Sequence, residues 1–266
     1  KAITAIKVAR INDIRQRLST PHLTDRQRYE ICMQLYNEYE AFRFDSALVY
    51  ANRTILYAKR MRNEKYLAEA QLKKVHVHTL AAFFVKSRDL LDSIKVSTLD
   101  ARRTQAFHDE WYLLMSLLAE YTAGTQLHAL YEGRVEYYRR LILASPYKDT
   151  YAYVRAEMTE LSERGHTEKA IGILENYLKR WRRTNHEYAM VCFDLAELYG
   201  KLGNSTKRLY YLVQSAISDV YSSSKENNSL RLLADELFDQ GDVERAYNYM
   251  NVSIEDANFY GTRLRN

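Results

Sequence analysis

Glycine and proline are scarce in this chain, whose 266 residues include only 8 Gly and 2 Pro. Average usage of about 7% and 5% would supply roughly 19 and 13 of them. Folds with many tight turns need residues that reach positive φ or that fix φ in advance. The composition therefore disfavours β-sandwiches, β-barrels and sheets with glycine-rich phosphate loops. Long helices joined by short connections remain, and all eight glycines lie after residue 123.

Cysteine and long apolar runs are also scarce. Cys32 and Cys192 are too few for a disulfide framework and lack the spacing of metal ligands, so we interpret both as buried thiols. The longest apolar run, residues 80–85, covers about six positions, against the roughly 20 that a membrane-spanning helix needs. The chain begins with Lys1 rather than Met, which leaves a cleaved upstream signal as an open alternative.

The formal net charge of +5 does not by itself indicate a nucleic-acid interface. The densest basic run, residues 179–183, lies where a predicted helix ends, and cations there complement the helix macrodipole. A nucleic-acid interface would repeat its basic residues along one face. Because 34 acidic residues accompany the 39 basic ones, we expect no direct contact between this segment and nucleic acid.

The sequence contains no recognisable catalytic or metal-binding motif. His76 and His78 point roughly 200° apart on a helix, so they cannot share one metal ion, which requires i, i+4 spacing. The adjacent His108, Asp109 and Glu110 diverge in the same way, and we interpret them as a solvated helix face. No nucleophile elbow, dinucleotide-binding loop, phosphate loop or zinc-protease motif occurs. We therefore predict no enzymatic activity, no catalytic residue, no metal site and no cofactor.

The glycines that are present define a repeat. Gly165, Gly203 and Gly241 are separated by 38 residues each, and Gly124 precedes the first of them by 41. Five positions after these glycines stand Ala129, Ala170, Arg208 and Ala246. A period of 34 to 45 residues in a helical chain is typical of stacked helix pairs.

Turn geometry and helix packing explain why glycine and alanine occupy these two positions of the repeat. Each glycine is predicted to close the turn after the first helix of a pair in a left-handed conformation. The alanine lets the second helix approach the first closely. Arg208 departs from this pattern, so we expect it either to weaken the packing of its repeat or to extend its charged end into solvent.

The apolar periodicity predicts an all-α, right-handed solenoid of about six helical hairpins with an extra N-terminal helix. The helix is expected over about residues 2–19. The predicted pairs are 25–41 and 44–62, 64–83 and 86–95, 101–123 and 126–144, 148–164 and 167–182, 185–202 and 205–222, and 225–240 and 243–260. No linker separates them, so we predict a single domain over 1–266, with an N-terminal helix at 1–20, divergent repeats at 25–145 and regular repeats at 148–260.

The regular part resembles tetratricopeptide repeats, whose pattern has Leu-Gly/Ala, an aromatic residue, Gly and Ala at fixed offsets. One repeat carries Leu195, Ala196, Tyr199 and Gly203, and the next carries Leu233, Ala234, Gly241 and Ala246. The 23 tyrosines of the chain suit both the core between repeat helices and a recognition surface, and the core is the favoured interpretation.

Several segments are similar to a narrower family, the membrane-anchored tetratricopeptide-repeat regulators of Bacteroidetes-type bacteria. These segments are 23–30, Tyr39 with 44–47, 186–189, 225–230, 241–247, 253–260 and 262–265. The resemblance implies an export signal, an extracytoplasmic (periplasmic) repeat domain, and then a transmembrane helix after residue 266. A cytosolic coiled coil and often a DNA-binding region would follow that helix. It implies no catalytic residue.

Repeat solenoids bind partners along the concave surface that the first helices of the pairs line. Counting back from each turn glycine places seven residues there: Arg155, Thr159, Phe193, Glu197, Asn228, Arg231 and Asp235. Their charged, amide and aromatic groups suit an extended peptide, although each also suits an ordinary solvated position.

Our leading hypothesis is a non-enzymatic sensor domain that binds a peptide or protein ligand and transmits occupancy through its C-terminal helix. One alternative is a cytosolic peptide-responsive regulator that lacks its DNA-binding part in this sequence. Another is a structural scaffold for protein assembly, including a possible homodimer. The sequence does not identify the ligand.

Overall fold

A computed structural model of the chain describes residues 2–225 and 228–261. Within these ranges it contains thirteen α-helices, one short 3₁₀ helix at Val96–Thr98 and no strand. The α-helices are α1 Ala2–Leu18, α2 Asp25–Tyr39, α3 Phe44–Arg60, α4 Glu64–Leu80, α5 Phe84–Ser93, α6 Ala101–Tyr121, α7 His128–Leu143, α8 Tyr151–Glu163, α9 Thr167–Leu178, α10 His186–Lys201, α11 Ser205–Ser222, α12 Ser229–Asp239 and α13 Val243–Tyr260.

These helices confirm the predicted all-α solenoid of helical hairpins. Their ends agree with the predicted ends to within about four residues. Lys1, with which the predicted N-terminal region starts, lies outside the described residues. So do residues 226–227 and 262–265, which contribute to the family resemblance. No helix of the described part is long and apolar enough to cross a membrane.

The chain divides into two compact units. Unit 1 comprises Lys1–Lys7, Ala41–Arg43 and Val154–Asn266, and unit 2 comprises Val8–Glu40 and Phe44–Tyr153. The single domain over 1–266 stays a prediction.

Side-chain caps fix the start of several helices. The hydroxyl of Thr24 accepts from the backbone N–H of Gln27, and the Gln27 side chain accepts in return from the N–H of Thr24, which forms a capping box at the start of α2. Single Asn or Asp caps serve four other helices, with Asn63 before α4, Asp100 before α6, Asn204 before α11 and Asp242 before α13. Such a cap contributes about 1 kcal/mol.

The turn glycines adopt the predicted left-handed conformation. Gly124, Gly165, Gly203 and Gly241 have φ values of 79°, 78°, 68° and 83°. At Gly165 the backbone N–H donates to Ser162 O and the next N–H donates to Leu161 O, which is the Schellman pattern of a helix end. The same pair of bonds recurs at Gly203 and Gly241.

The first half of the chain uses the same turn without glycine. Ala82 has a φ of 58°, its N–H donates to Thr79 O, and the N–H of Phe83 donates to His78 O. Arg62 has a φ of 51° and makes the equivalent bonds at the end of α3. Left-handed conformations cost non-glycine residues about 1–2 kcal/mol. The divergent repeats therefore keep the hydrogen-bonded turn and accept its backbone strain.

Each unit buries an apolar core between consecutive helices. In unit 2 one cluster joins α4, α5 and α6 and contains Leu72, Val75, Leu91, Ile94, Phe107, Trp111, Leu114 and Met115. In unit 1 a smaller cluster joins α10, α11 and α12 and contains Ala196, Leu212, Ala216 and Leu233. Cys32 and Cys192 are both fully buried, as predicted, and burial raises the pKa of their thiols to about 11 and about 12.

Arg208 is accommodated by a glycine in the helix beside it. A Cβ atom at Gly200 of α10 would lie 3.1 Å from Arg208 Cδ, so the missing side chain of Gly200 makes room for the arginine stem. The guanidinium group forms an ion pair with Glu236 of α12. Arg208 therefore lies half-buried and links two consecutive repeats, an arrangement that the sequence pattern alone did not predict.

Candidate functional site

Tyrosine hydroxyls connect the first helices of consecutive pairs in unit 2. The hydroxyl of Tyr29 on α2 donates to the carbonyl oxygen of Tyr66 on α4 at 3.3 Å. Two helical turns further on, the hydroxyl of Tyr36 lies 3.0 Å from the carbonyl oxygen of Lys73. In both cases the partner is 37 residues away, so tyrosine marks the repeat here, where glycine is absent.

Five polar groups gather where α2, α4 and α6 meet. We call them the His76 cluster, and they are Tyr36, Glu40, Lys73, His76 and Glu110. His76 lies at the centre, with Nδ1 3.1 Å from Glu110 Oε1 and Nε2 3.8 Å from Glu40 Oε1. Lys73 Nζ lies 3.6 Å from Glu40 Oε1, and the Tyr36 hydroxyl lies 2.8 Å from the same oxygen. One imidazole thus bridges carboxylates from two other helical pairs.

The electrostatics of the His76 cluster favour the protonated, positively charged forms of His76 and Lys73. Burial alone would lower the pKa of His76, but Glu110 and Glu40 outweigh burial and raise it to about 9. Glu40 also raises the pKa of Lys73. The imidazole is therefore protonated at neutral pH. Its side chain is 28% exposed.

Asp109, next to the cluster in sequence, is a buried carboxyl, so the interpretation of residues 108–110 as a solvated helix face is wrong at this position. Burial, assisted by the neighbouring Glu110, raises the pKa of Asp109 to about 8. Among the described residues, no donor reaches its buried Oδ1 atom. A carboxyl that stays protonated at neutral pH is a hydrogen-bond donor, and strongly perturbed groups of this kind are enriched at functional sites.

His76 and His78 diverge, as their helical spacing predicts. His78 is buried and packs edge-on against Phe83, with 6.0 Å between the ring centroids. Burial lowers the pKa of His78 to about 4, and Lys74 and Lys86 contribute in the same direction. In the part of the chain that the structure describes, no group of three His, Cys, Asp or Glu residues is placed to hold a metal ion.

The seven residues predicted from the glycine register lie on, or immediately before, the first helices of unit 1. Arg155 and Thr159 are half-buried on α8. Phe193 on α10 packs against the apolar cluster of α11 and α12, so much of its ring serves the core.

The other four predicted residues lie on or beside α10 and α12. Glu197 lies on α10, Asn228 lies directly before α12, and Arg231 and Asp235 pair within α12 at 3.2 Å. The assignment of these seven to a ligand site stays a prediction.

The spacing of residues in the sequence did not reveal the His76 cluster, because its members lie on, or directly after, three separate helices. The 37-residue spacing that aligns α2 with α4 appears only in the tyrosine contacts of the structure, because their acceptors are main-chain oxygens. The cluster offers carboxylate acceptors, ammonium and imidazolium donors and a phenol.

A comparison with protein families places the chain among known repeat domains. The family model described as the SusR N-terminal TPR domain matches residues 1–266. Tetratricopeptide (TPR) domains generally mediate protein–protein interactions and are typically non-enzymatic. None of the curated proteins compared with the chain matches it significantly. Because the family model covers the whole sequence, the chain belongs to the family of SusR N-terminal TPR domains.

Proposed function

We propose that this domain is the sensor part of a membrane-anchored regulator, that it binds a peptide or protein ligand on the faces of its first helices, and that its last helix transmits occupancy. The proposal includes an extracytoplasmic position for the domain. The observation that carries it is the His76 cluster, in which groups from three consecutive helical pairs are held together by their own contacts.

The His76 cluster suits an extended peptide because such a chain presents N–H and C=O groups in alternation. Glu40 and Glu110 are acceptors for peptide N–H groups or an amino terminus. Lys73 and the protonated His76 are donors for peptide carbonyls. Since the four side chains already contact one another, little side-chain freedom is lost on binding.

The exposed residues of α10 and α12 extend the proposal to unit 1. Glu197, Arg231 and Asp235 present both signs of charge on successive first helices. A second stretch of ligand, or a partner surface, would meet carboxylate and guanidinium groups there. The ion pair between Arg231 and Asp235 is exposed and weak, so replacing it with a contact to a ligand costs little free energy.

Transmission is assigned to α13 because few of its residues are anchored. Of its 18 residues, only Ala246 and Tyr260 are buried. Segments with few buried contacts move at low free-energy cost. A ligand shifts such an element only if it binds one arrangement more tightly than another.

Ligand binding is tested with an array of extended peptides probed with the 266-residue chain, followed by calorimetry on the peptides that bind. Glu110→Gln and His76→Gln are expected to weaken binding at least ten-fold. Glu30→Gln is the matched control, since Glu30 is an exposed carboxylate on α2 that pairs only with the neighbouring Arg26 among the described residues. A chain that binds no peptide but binds an uncharged, hydroxyl-rich ligand would contradict the peptide class, and unchanged affinity in both cluster variants would contradict the site.

Transmission is tested with spin labels at Gly172→Cys on α9 and Asn248→Cys on α13. Both positions are exposed, whereas the two native cysteines are fully buried and will not label in the folded chain. We expect the distance distribution between the labels to shift when a peptide that binds in calorimetry is added. Identical distributions with and without saturating peptide would contradict transmission through α13.

The extracytoplasmic position is tested in cells with the same Asn248→Cys change in the full-length protein. A membrane-impermeant maleimide is expected to label this thiol in cells whose outer barrier is opened and whose cytoplasmic membrane is intact. Labelling only after lysis would place the domain in the cytoplasm and favour the cytosolic alternative.

A further inference from the structure

The last helix carries a row of apolar side chains on one face. Val243, Tyr247, Met250 and Ile254 follow the i, i+4, i+7, i+11 spacing of a helical stripe, which we call the α13 stripe. Tyr247 is 67% exposed and Ile254 is 46% exposed. Phe238, on the other side of the Gly241 turn, is 63% exposed.

The 38-residue period identifies the equivalent positions in the two preceding repeats. Tyr247 corresponds to Leu209 and Ile171, Met250 to Leu212 and Leu174, and Ile254 to Ala216 and Leu178. In those repeats the positions are fully or half buried, with Ile171, Leu174, Leu212 and Ala216 in the core. Exposure at Tyr247 and Ile254 is therefore peculiar to the last of these three repeats, whereas Met250 between them is half-buried.

In the preceding repeat, a helix of the following pair covers the equivalent apolar face. Leu212 and Ala216 of α11 belong to one apolar cluster with Leu233 of α12, the first helix of the next pair. The same face of a second helix thus receives the apolar stripe of another helix. Because the α13 stripe is equivalent to this face of α11, it is suited to contact the apolar stripe of another helix.

The rim of the α13 stripe is acidic. Asp239 on α12 and Glu244 and Glu255 on α13 are exposed, and no cation pairs with them among residues 2–225 and 228–261. The nearby Arg245 is already paired with Asp242, with Nε 2.5 Å from Asp242 Oδ2. A two-fold pairing of two copies through this face would bring like charges together, which disfavours association.

We infer that the α13 stripe is a docking site for an amphipathic helix of a partner protein, with apolar residues at i, i+3 and i+7 and with Lys or Arg on its flanks. The apolar stripe of that helix would cover Tyr247, Met250 and Ile254. Its basic flanks would pair with Glu244 and Glu255. This inference concerns α13 and does not depend on the ligand proposed for the first-helix faces.

Two synthetic peptides test this assignment against the 266-residue chain by fluorescence anisotropy. Both carry leucines in the spacing of Leu230, Leu233 and Leu237 of α12, and their polar positions are all Lys in one and all Glu in the other. The Lys peptide is expected to bind at least ten-fold more tightly than the Glu peptide. Reversal of the rim with Glu244→Lys and Glu255→Lys is expected to invert this preference.

Substitutions within the stripe separate helix docking from simple charge attraction. Tyr247→Ser and Ile254→Ser are each expected to weaken binding of the Lys peptide at least five-fold. Tyr210→Ser is the matched control, because Tyr210 on α11 is 53% exposed and lies outside the stripe. Thermal unfolding followed by circular dichroism checks that the three variants remain folded, as exposed positions should.

Three results would overturn the inference. The first is equal binding of both peptides, or binding of neither. The second is an unchanged affinity in Tyr247→Ser and Ile254→Ser. The third is a concentration-dependent dimer, measured by sedimentation, that these two variants abolish, because it would show that a second copy of the chain occupies the stripe.

Discussion

His76 and His78 stand two positions apart on α4, yet their surroundings move their pKa values in opposite directions. His76 lies between Glu40 and Glu110, which outweigh burial and raise its pKa to about 9. His78 is buried against Phe83, and burial with nearby lysines lowers its pKa to about 4. Since an unfolded chain returns both to about 6.5, folding is linked to pH at both ends of the neutral range.

The stabilisation from His76 should be lost in alkali. Its folded pKa lies above the unfolded value, so the contribution is fully present below about pH 6.5 and disappears as pH rises through about 9. His76→Gln should therefore lower the free energy of unfolding by about 2 kcal/mol at about pH 6 and by much less at about pH 10. Urea unfolding of both proteins at each pH measures this.

A matched variant at His78 checks the sign of this pH dependence. His78→Asn should behave oppositely, because a pKa depressed to about 4 gives a contribution that is present above about pH 6.5 and lost as pH falls. A difference between wild type and His76→Gln that is constant with pH, or that grows toward alkaline pH, would show that His76 is not held charged by Glu40 and Glu110.

Asp109→Asn is expected to stabilise the fold. The folded pKa of Asp109, raised to about 8, exceeds the unfolded value near 4, so ionisation costs the folded chain stability as pH rises from about 4 to about 8. The amide removes this cost, with an expected gain of about 1–2 kcal/mol at about pH 8 and little change at about pH 4. Chemical unfolding at the two pH values measures this gain. The control is Asp92→Asn, on the exposed surface of α5, which should leave the free energy of unfolding unchanged at both pH values. Lower stability of Asp109→Asn at the higher pH would contradict the protonated carboxyl.

Substitution by alanine should lower the stability of the fold at a turn glycine and raise it at a glycine within a helix. At Gly165 a Cβ would meet no atom within 4 Å, so Gly165→Ala should cost about 1 kcal/mol through backbone conformation alone. Gly172 lies within α9 and also has open space, so Gly172→Ala should gain about 0.5–1 kcal/mol from helix propensity. Ala82→Gly should gain about 0.5 kcal/mol by relieving its left-handed strain.

Melting temperatures of these three single variants test the set. The order from most to least stable should place Gly172→Ala and Ala82→Gly above the wild type and Gly165→Ala below it. A destabilised Ala82→Gly would mean that the alanine methyl contributes more by packing than its φ of 58° costs.

Gly200 and Arg208 should be coupled. Because a Cβ at Gly200 would lie 3.1 Å from Arg208 Cδ, Gly200→Ala must displace the arginine and its ion pair with Glu236. In an Arg208→Ala background the same change meets no such obstacle. A double-mutant cycle should therefore give a coupling of about 0.5–1.5 kcal/mol. Gly172→Ala combined with Arg208→Ala should be additive, and additivity at Gly200 would mean that the two side chains do not compete for space.

Helix bounds and turn positions could be predicted from the sequence because both follow from local patterns. The 38-residue spacing of Gly165, Gly203 and Gly241 located three turns, and their φ values confirm the reason for it. Ala82 carries no such signal, since its left-handed conformation arises from the hydrogen bonds of the turn rather than from residue type.

The contacts of the candidate site lay beyond local patterns. His76 and Glu110 are 34 residues apart, and only the register between α4 and α6 brings them to 3.1 Å. Phe193 shows the converse, because counting from Gly203 places it on a first-helix face without revealing that its ring packs against the core of the next repeat. Register between helices depends on many side chains at once, which one sequence does not specify by spacing alone.

The tyrosine contacts of unit 2 leave the identity of the receiving residue free. Tyr29 and Tyr36 reach the main-chain oxygens of Tyr66 and Lys73, and every amino acid supplies such an oxygen. A substitution at position 73 can therefore change the chemistry offered to a ligand while the hydrogen bond from Tyr36 is retained. New ligand preferences can arise on such a surface without a new scaffold.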